Sequence, residues 1–417
     1  MTKRRLSSVL VFVLFSAIGL YAQNGISNAR SVAMGGAYTA LARGIEAPSW
    51  NPANLALAGK KKPRLNLFSF GAGFHNNSFT FKQYDLYNGA YLTEQDKQDI
   101  LTSIPAEGFR FNFDTEVQAI GISIGAFALS ASGFGSSDLL LSKDIADLLL
   151  KGNEIDRIYG IGDSNGEGWG VSSFALSAAF PIFMPLFTQF TVGGSVKYVR
   201  GFAYGNVVEA QSSLLTNIEG ILGSGRIVID RALGGSGYAL DLGAAAQLDE
   251  KITLSASVSN FLNRINWNNE TKRFTYSFTA DSVSIERVGA SDIDSVLIDS
   301  EETVDIEPFS STLPAELRIG MARTTRRLTL AIDYKQGLKR AAGVSTTPEI
   351  AVGAELRFWG FLPLRTGVSL GGKEGISTAV GFALDFSIFS LDFAVASRGG
   401  IFSGRGAAFA FGWMFRL

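Results

Sequence analysis

The chain has 417 residues and a formal net charge of -1, so its bulk charge gives no support to nucleic-acid binding. Glycine (47 residues) and phenylalanine (32) are abundant and proline (10) is scarce, which is typical of a β-rich protein. The sequence contains no cysteine, which excludes disulfides, thiolate metal sites and a lipid attached to cysteine.

The first residues predict export. Three basic residues precede an apolar run from Val9 to Leu20, and Ala22 is a plausible last residue before cleavage. We therefore predict that residues 1–22 are a secretory signal; the alternative, an uncleaved anchor, is disfavoured because the run is short. Beyond residue 22 no run reaches the roughly 18 apolar residues of a membrane helix. Such a chain can still span a membrane as a closed barrel.

Residues 23–60 lack the period of a strand and are predicted to form a separate N-terminal element. Ala29 to Ala42 is predicted to be a short helix that contains Gly35 and Gly36. Each glycine in a helix costs about 1 kcal/mol relative to alanine, which favours a kink or a close backbone approach at this pair.

The stretch MGGAYTALARGIEAPSWNPANLA resembles the N-terminal segment of the FadL superfamily of outer-membrane proteins. The matching residues are Met34, Gly35, Gly36, Ala37, Asn51, Pro52, Ala53 and Leu55. The resemblance implies a 14-stranded barrel that passes hydrophobic molecules such as long-chain fatty acids, with this segment as a hatch in its lumen. The candidate hatch and gate residues in this segment are Gly35, Gly36, Trp50, Asn51, Pro52, Ala53 and Asn54. A segment that only fills and stabilises the barrel is an equally open interpretation.

His75, the single histidine, lies in GFHNNSF, which is predicted to be a turn between two short strands. No catalytic partner is evident beside it, so we predict a surface histidine rather than a general base. No enzymatic activity, cofactor or metal site is expected.

Residues 61–417 alternate apolar and polar positions nearly throughout, as in YALDLGAAAQL at 238–248 and ITLSASVSN at 252–260. We predict 14 to 18 strand-like segments of roughly ten residues, the length of a tilted membrane strand. Short connections alternate with long polar ones, the latter at 83–108, 133–167, 200–236 and 262–312. The predicted fold class is an all-β, transmembrane antiparallel barrel of about 14 strands.

Two long connections are predicted to contain amphipathic helices, which begin after Thr93 and Ser142. The second helix and the residues before it form an apolar group at the rim: Leu139, Leu140, Leu141, Leu148 and Leu149. This group either forms an entrance groove for a hydrophobic ligand or packs against neighbouring loops and the outer leaflet.

The polar face of the strands carries charged residues: Glu316, Arg318, Asp333, Lys335, Glu355, Arg357, Arg365 and Asp385. They would face water in a soluble sandwich and the lumen in a membrane barrel, and period alone does not separate the two. The export signal, the phenylalanine content and the unequal connections favour the barrel. We predict that near neighbours of opposite sign (316 with 318, 333 with 335, 355 with 357) join the hatch to the wall; a role in selectivity is the alternative.

The chain ends in AFAFGWMFRL, whose large apolar residues fall on alternate positions. This ending resembles the C-terminal assembly signal of outer-membrane barrels at Gly412, Phe415 and Leu417, with leucine in place of the usual terminal aromatic residue. The resemblance implies recognition by the barrel-assembly machinery.

The sequence therefore predicts a barrel in the outer membrane of a Gram-negative-type bacterium that passes hydrophobic small molecules by passive diffusion, gated by the hatch. The expected surroundings are outer-membrane lipid and lipopolysaccharide, with no nucleic acid. Residues 238–268, with their ending SNFLNRINWNN, resemble uncharacterised families among the FadL-like barrels that are not fatty-acid transporters. A docking or secretion-associated barrel with a protein partner is therefore the alternative, and a soluble exported β protein is a third.

Overall fold

The computed structural model describes residues 25–57, 63–218, 220–283, 297–386 and 388–416. The predicted secretory signal, the predicted boundary near residue 60 and Leu417 lie outside these ranges. The strands are β1 (Arg64–Asn76), β2 (Phe109–Ile124), β3 (Phe127–Leu141), β4 (Ile158–Tyr159), β5 (Asn165–Ile182), β6 (Gln189–Asn217), β7 (Gly220–Ala232), β8 (Gly235–Gln247), β9 (Ile252–Trp267), β10 (Lys272–Val283), β11 (Leu297–Asp305), β12 (Phe309–Ser311), β13 (Glu316–Thr324), β14 (Leu328–Gly337), β15 (Glu349–Trp359), β16 (Leu362–Gly371), β17 (Gly375–Asp385), β18 (Phe389–Arg398) and β19 (Gly406–Arg416).

Fourteen of the strands in the described residues close into an antiparallel barrel, which confirms the predicted fold class. Their order around the barrel is β1, β2, β3, β5, β6, β8, β9, β13, β14, β15, β16, β17, β18 and β19. The last strand returns to the first, with Arg64 opposite Arg416 and His75 opposite Gly406. Closure leaves the barrel without an exposed sheet edge, which is the condition for strands to cross a membrane.

The faces of the barrel are reversed relative to a soluble protein. In β14, Leu328, Leu330 and Ile332 are exposed on the outside, whereas Thr329 and Asp333 are buried on the inside. The same alternation recurs around the wall, so large apolar side chains face outward and small or charged side chains face the lumen.

A second sheet extends beyond the barrel. The 29-residue strand β6 continues past the rim and pairs with β7, which pairs with β10, which in turn pairs with β11. The prediction that 200–236 and 262–312 are loops was therefore wrong over most of their length. These strands project away from the membrane band, so their sequences lack the strong apolar alternation that marks the barrel strands.

The helices are α1 (Ala29–Ala33), α2 (Ala47–Trp50), α3 (Phe81–Tyr87), α4 (Glu94–Ser103) and α5 (Lys143–Lys151), with 3₁₀ helices at Gly44–Glu46 and Pro52–Ala56. The predicted helix starts are confirmed: Thr93 caps α4 in a capping box with Asp96, and α5 follows Ser142. Among the described residues, no helix combines the length and apolar character needed to cross a membrane.

Residues 25–57, called the plug below, lie inside the barrel. Their short helices contact inward-facing positions on strands from β1 and β2 round to β17, β18 and β19. Many plug residues are alanines, and most of these are buried. Their small side chains pack against the small side chains of the inner wall. The lumen is therefore filled at this level.

Candidate functional site

The first helix of the plug is shorter than the sequence predicted, and a turn at two glycines follows it. Helix α1 covers only Ala29–Ala33, and the predicted helix up to Ala42 was wrong because Gly35 and Gly36 take positive φ angles of 66° and 92°. A side chain at Gly35 would place its Cβ 2.7 Å from the backbone nitrogen of Val368 on β16. Glycine is therefore required here both for the turn and for contact with the wall.

Asn51 fastens the plug to two strands at once. Its Nδ2 donates to the carbonyl oxygens of Ala244 on β8 and Ala256 on β9, at 2.9 and 3.0 Å. The same Nδ2 donates to Ser255 Oγ at 2.6 Å, and Asn51 Oδ1 accepts from Ala53 N at 2.9 Å. The side chain thereby caps the 3₁₀ helix that begins at Pro52 while it holds that helix against the wall.

The wall is lined with glycine where this part of the plug touches it. A Cβ on Gly193 of β6 would lie 2.6 Å from Ala53 N, and one on Gly243 of β8 would lie 1.8 Å from Asn51 Oδ1. Beside them, Thr191 Oγ1 donates to Ala53 O at 2.9 Å. The Asn-Pro-Ala turn named by the sequence is thus one of the points where the plug lies directly against the wall backbone.

A buried carboxylate on β14, two strands beyond β9 around the wall, accepts hydrogen bonds from the plug backbone. Asp333 Oδ2 on β14 accepts from Tyr38 N and Thr39 N, at 3.0 and 2.7 Å. The sequence-based pairing of Asp333 with Lys335 was wrong, because Lys335 Nζ lies 3.0 Å from Glu349 Oε2. Alternate residues point the same way, but cross-strand neighbours and plug backbone proved to be the nearer partners.

Glu355 on β15 is the centre of the largest charge network. Its carboxylate lies 2.7 Å from Arg30 of the plug, 2.9 Å from Arg357 and 2.8 Å from Arg365. Arg365 also reaches Asp392 on β18. The predicted 355–357 pair is therefore formed, and it belongs to a network that joins α1 to the wall.

Arg318 on β13 makes a third junction. Its guanidinium pairs with Glu316, as predicted, at 2.5 Å, and lies 4.4 Å above the ring of Trp50. Its NH1 donates to Ser49 O at 3.1 Å. A charge pair of the wall thus holds α2 through both a backbone carbonyl and an aromatic face. Of the remaining predicted lumen charges, Asp385 pairs with Arg357 at 3.2 Å.

The interior of the plug shifts the proton affinities of its own polar groups. Burial and the neighbouring Glu46 carboxylate raise the pKa of Tyr38, whose hydroxyl donates to Glu46 Oε2 at 2.9 Å. Burial lowers the pKa of Arg43 to about 10. The guanidinium of Arg43 is compensated by the carbonyl oxygens of Ala40 and Ala42, at 3.0 and 2.8 Å.

Replacing Glu355 with alanine should strongly destabilise the protein. The substitution leaves three guanidinium groups without their shared carboxylate, and losing one partner of a buried ion pair costs about 3–5 kcal/mol. The measurement is the denaturant midpoint of unfolding from lipid vesicles. Glu94→Ala, which removes an exposed partner of Lys97, is the matched control and should leave the midpoint unchanged. Equal midpoints for the two variants would contradict a structural role of the network.

The long-loop end of the lumen is narrowed by a second element that the sequence did not suggest. Residues 338–348, which connect β14 and β15, fold inward so that Ala342 and Val344 are buried. Ala342 N donates to Glu167 Oε2 on β5 at 3.0 Å, and a Cβ on Gly343 would lie 2.5 Å from Ser136 Oγ on β3. The residues of AAGVSTT are small enough to enter a confined space, but the same composition is common in exposed turns.

A cavity of about 120 Å³ lies in the lumen and is lined by both the plug and this loop. Gly35 and Gly36 of the plug and Val344 of the loop form part of its lining. Most of its charged wall groups are already paired, for example Lys373 with Asp114 at 2.7 Å. Neither closing element has to be removed for a molecule of a few heavy atoms to fit, but larger molecules need one of them to move.

Beside the cavity, the lumen holds an apolar cluster. Its members are Phe134, Trp169, Val171, Val199, Ala232, Ala239, Ile265, Trp267, Leu313 and Ala342, with Tyr204 and Phe309 packed against them. Phe134 and Trp169 meet edge to face at 6.0 Å, and Tyr204 lies 5.5 Å from Trp267. Inward-facing aromatic residues depart from the small-and-polar inner wall, and this departure is visible in the sequence once strand parity is known.

The predicted rim group is divided by the structure. Leu139, Leu140 and Leu141 end strand β3 and alternate between its faces, so Leu140 is buried and Leu141 is exposed. On α5, Leu149 is exposed and Leu148 is partly buried. The five leucines therefore do not form one continuous surface, and a role as an entrance groove stays a prediction.

His75 is not the surface-turn residue that the sequence predicted. It lies in β1, whose alternation continues through Asn76, and its side chain is buried on the inner face. A Cβ on Gly399 would lie 2.8 Å from His75 Nε2, so the connection between β18 and β19 covers the ring.

The C-terminal strand closes the barrel. Phe409 and Trp413 of β19 are exposed on the outer face, while Ala408 and Ala410 are buried inside. Gly412 and Phe415 pair with both β18 and β1. Recognition of this ending by assembly machinery stays a prediction.

Together these features define a 14-stranded barrel with a plugged lumen, the fold of FadL-like outer-membrane barrels. The toluene transporter TbuX of Ralstonia pickettii has a similar fold, with 16% identity, a TM-score of 0.53 and coverage of 93% of this chain and 97% of its own. The monoaromatic hydrocarbon channel CymD is 15% identical with a TM-score of 0.53, covering 96% of this chain and 98% of its own. A Pseudomonas aeruginosa FadL homologue is 13% identical with a TM-score of 0.51, covering 95% and 99%.

The chain belongs to the family of unknown function DUF5723, which matches residues 52–223 and 209–397. No curated protein matches the chain. The likeness to solved structures establishes the fold alone, since identities of this size do not carry a ligand from one barrel to another.

Proposed function

We propose that the protein is an outer-membrane barrel that passes small hydrophobic molecules by passive diffusion, with the plug as its gate. The observation that carries the proposal is the cluster of inward-facing aromatic residues, including Phe134, Trp169 and Trp267, at the long-loop end of an otherwise polar lumen. Apolar and aromatic lining is what a site for hydrophobic molecules requires. The fold shared with TbuX and CymD adds support.

The barrel orientation follows from its connections. The short turns after β2, β8 and β13 lie on one rim, together with the C-terminal end of β19. Long connections and the projecting sheet lie on the other. In outer-membrane barrels the short turns are periplasmic, so the aromatic cluster faces the cell exterior and the plug stands between it and the periplasm.

The plug suits a gate because its bonds to the wall are polar and discrete. Asn51, Asp333 and Glu355 each hold it through hydrogen bonds or ion pairs. Such contacts can be exchanged for water when the plug shifts, whereas the continuous backbone hydrogen bonding between the wall strands keeps the barrel closed. Passage needs no energy source beyond the concentration gradient in this arrangement.

A reversible lock on the plug tests the function and the gate together. A Cβ built at Gly36 lies 3.9 Å from Ala351 Cβ on β15, close to the mean spacing across a disulfide. In the double variant Gly36→Cys, Ala351→Cys, this disulfide is the one intramolecular bridge that can form, because the chain has no other cysteine. The double variant would be expressed in cells that lack their own outer-membrane transporters for hydrophobic molecules. The measurement is the uptake of labelled oleate and toluene.

We expect uptake above an empty-vector control in the reduced state and loss of uptake after oxidation, with sucrose uptake at background in both states. The reduced protein controls for strain at position 36, whose φ is positive. Equal uptake in both states would contradict the gate. No uptake by the folded wild-type barrel would contradict the function itself.

The projecting sheet favours a second candidate function, in which the barrel docks a protein at the cell surface. Strand β11 pairs only with β10 among the described residues, so the other edge is open to a partner strand. A stoichiometric partner that depends on β11, in a barrel without hydrophobe uptake, would favour docking over transport.

A further inference from the structure

We infer that the aromatic cluster is a binding site for a small aromatic alcohol, and that Ala342 of the inward-folded loop takes up part of it in this structure. The inference rests on the proposed function and assigns the site and the ligand chemistry.

The aromatic side chains of the site come from strands β3, β5, β6, β9 and β12. Phe134 and Trp169, from β3 and β5, stand edge to face at 88°. The Tyr204 ring is tilted against both Trp267 and Phe309, with 5.5 Å between ring centroids in each case. Edge-to-face and tilted rings favour a further aromatic ring over an aliphatic chain, because the ring quadrupoles can pair again with the ligand.

The loop occupies this site with little side-chain volume. Ala342 is 1% exposed and packs within the cluster, although it brings only a methyl group. The loop tip is further secured by the bridge between Ala341 and Val344. An aromatic ligand would bury more apolar surface against the same walls than alanine does.

The contact between the loop and Glu167 shows that the site contains a carboxylate that needs hydrogen-bond donors. Ala342 N donates to Glu167 Oε2, while Tyr204 OH donates to Glu167 Oε1 at 3.3 Å. When the loop withdraws, Oε2 loses its donor next to the apolar cluster. A purely apolar ligand would cover Oε2 without giving it a donor, so a ligand with one hydroxyl donor fits better than a plain hydrocarbon.

Fluorine NMR of protein labelled with 5-fluorotryptophan tests the inference in detergent. The five tryptophans include Trp169 and Trp267 in the site, Trp50 in the plug, and the outward-facing Trp359 and Trp413. The last two report nonspecific partitioning into detergent. The probe is p-cresol, with p-xylene as the analogue that lacks the donor.

The main variant replaces residues 339–346 with an Asn-Gly turn between β14 and β15. We expect saturable p-cresol shifts at both site tryptophans, with an apparent affinity at least about tenfold tighter than in the wild type, because the competing loop is gone. The p-xylene affinity should be weaker than that for p-cresol. Ala342→Pro is the second variant. It removes the N–H that bonds Glu167 and disturbs the packing of the loop tip, so it should shift the affinity in the same direction.

Shifts confined to Trp359 and Trp413 would overturn the inference, as would equal affinities in the wild type and both variants. Equal binding of p-cresol and p-xylene would overturn the role of Glu167. Saturable binding in a barrel that takes up no hydrophobe would leave the site standing and contradict the proposed function alone.

Discussion

Deletion of residues 25–57 should turn the closed barrel into an open pore. The plug fills the lumen from β1 round to β19, and a 14-strand barrel without internal filling encloses a water-accessible channel. In planar bilayers we expect conductance to rise at least about tenfold over the intact chain, with little selectivity between small ions. Shortening the loop 338–348 in addition should increase it further, because that loop covers the long-loop end.

The matched control for this deletion removes a segment that lies outside the lumen. Helix α3 (Phe81–Tyr87) has no buried residue, so deleting it should leave the conductance unchanged. Folding of each variant would be verified by heat-modifiable migration in gels. Conductance of the folded deletion variant equal to that of the intact protein would contradict the assignment of 25–57 as the lumen seal.

Gly243→Ala should displace the plug through a single methyl group. The new Cβ would stand 1.8 Å from Asn51 Oδ1, and Asn51 is already fixed by acceptors on β8 and β9. Overpacking of this kind costs about 1–3 kcal/mol. We expect a lower denaturant midpoint and brief open-channel events in bilayer recordings, as the plug loses its fixed position.

Gly205→Ala is the control, since a Cβ at that position of β6 meets no atom within 4 Å. Its alanine should be neutral or slightly stabilising, because it restricts the unfolded chain. If Gly243→Ala shows no open-channel events and an unchanged denaturant midpoint, the Asn-Pro-Ala turn is not held against the wall.

The barrel was predictable because the alternation of apolar and polar residues recurs in strand after strand and has a physical cause. Lipid selects large apolar side chains on every second position, so even one strand such as β14, with Leu328, Leu330 and Ile332 outward, carries the pattern. The motif around Asn51 was also readable, since its backbone-capping amide and the following proline define a turn locally. These features depend on residues close together in sequence.

The remaining parts depend on residues that are distant in sequence. Asp333 was assigned to Lys335 because they are near neighbours, but Tyr38 and Thr39, almost 300 positions away, supply its donors. The projecting sheet contains polar strands such as β11, LIDSEETVD, that resemble a loop because no lipid selects their side chains. The loop at Ala342 was missed because small residues are equally common in exposed turns.

Native mass spectrometry of the detergent-extracted protein, with organic extraction of the same sample, tests the central claim most directly. The account predicts one small hydrophobic molecule bound per barrel, recovered and identified in the extract, with mass added to the intact chain. A ligand-free barrel that carries a stoichiometric second protein would contradict transport and favour docking.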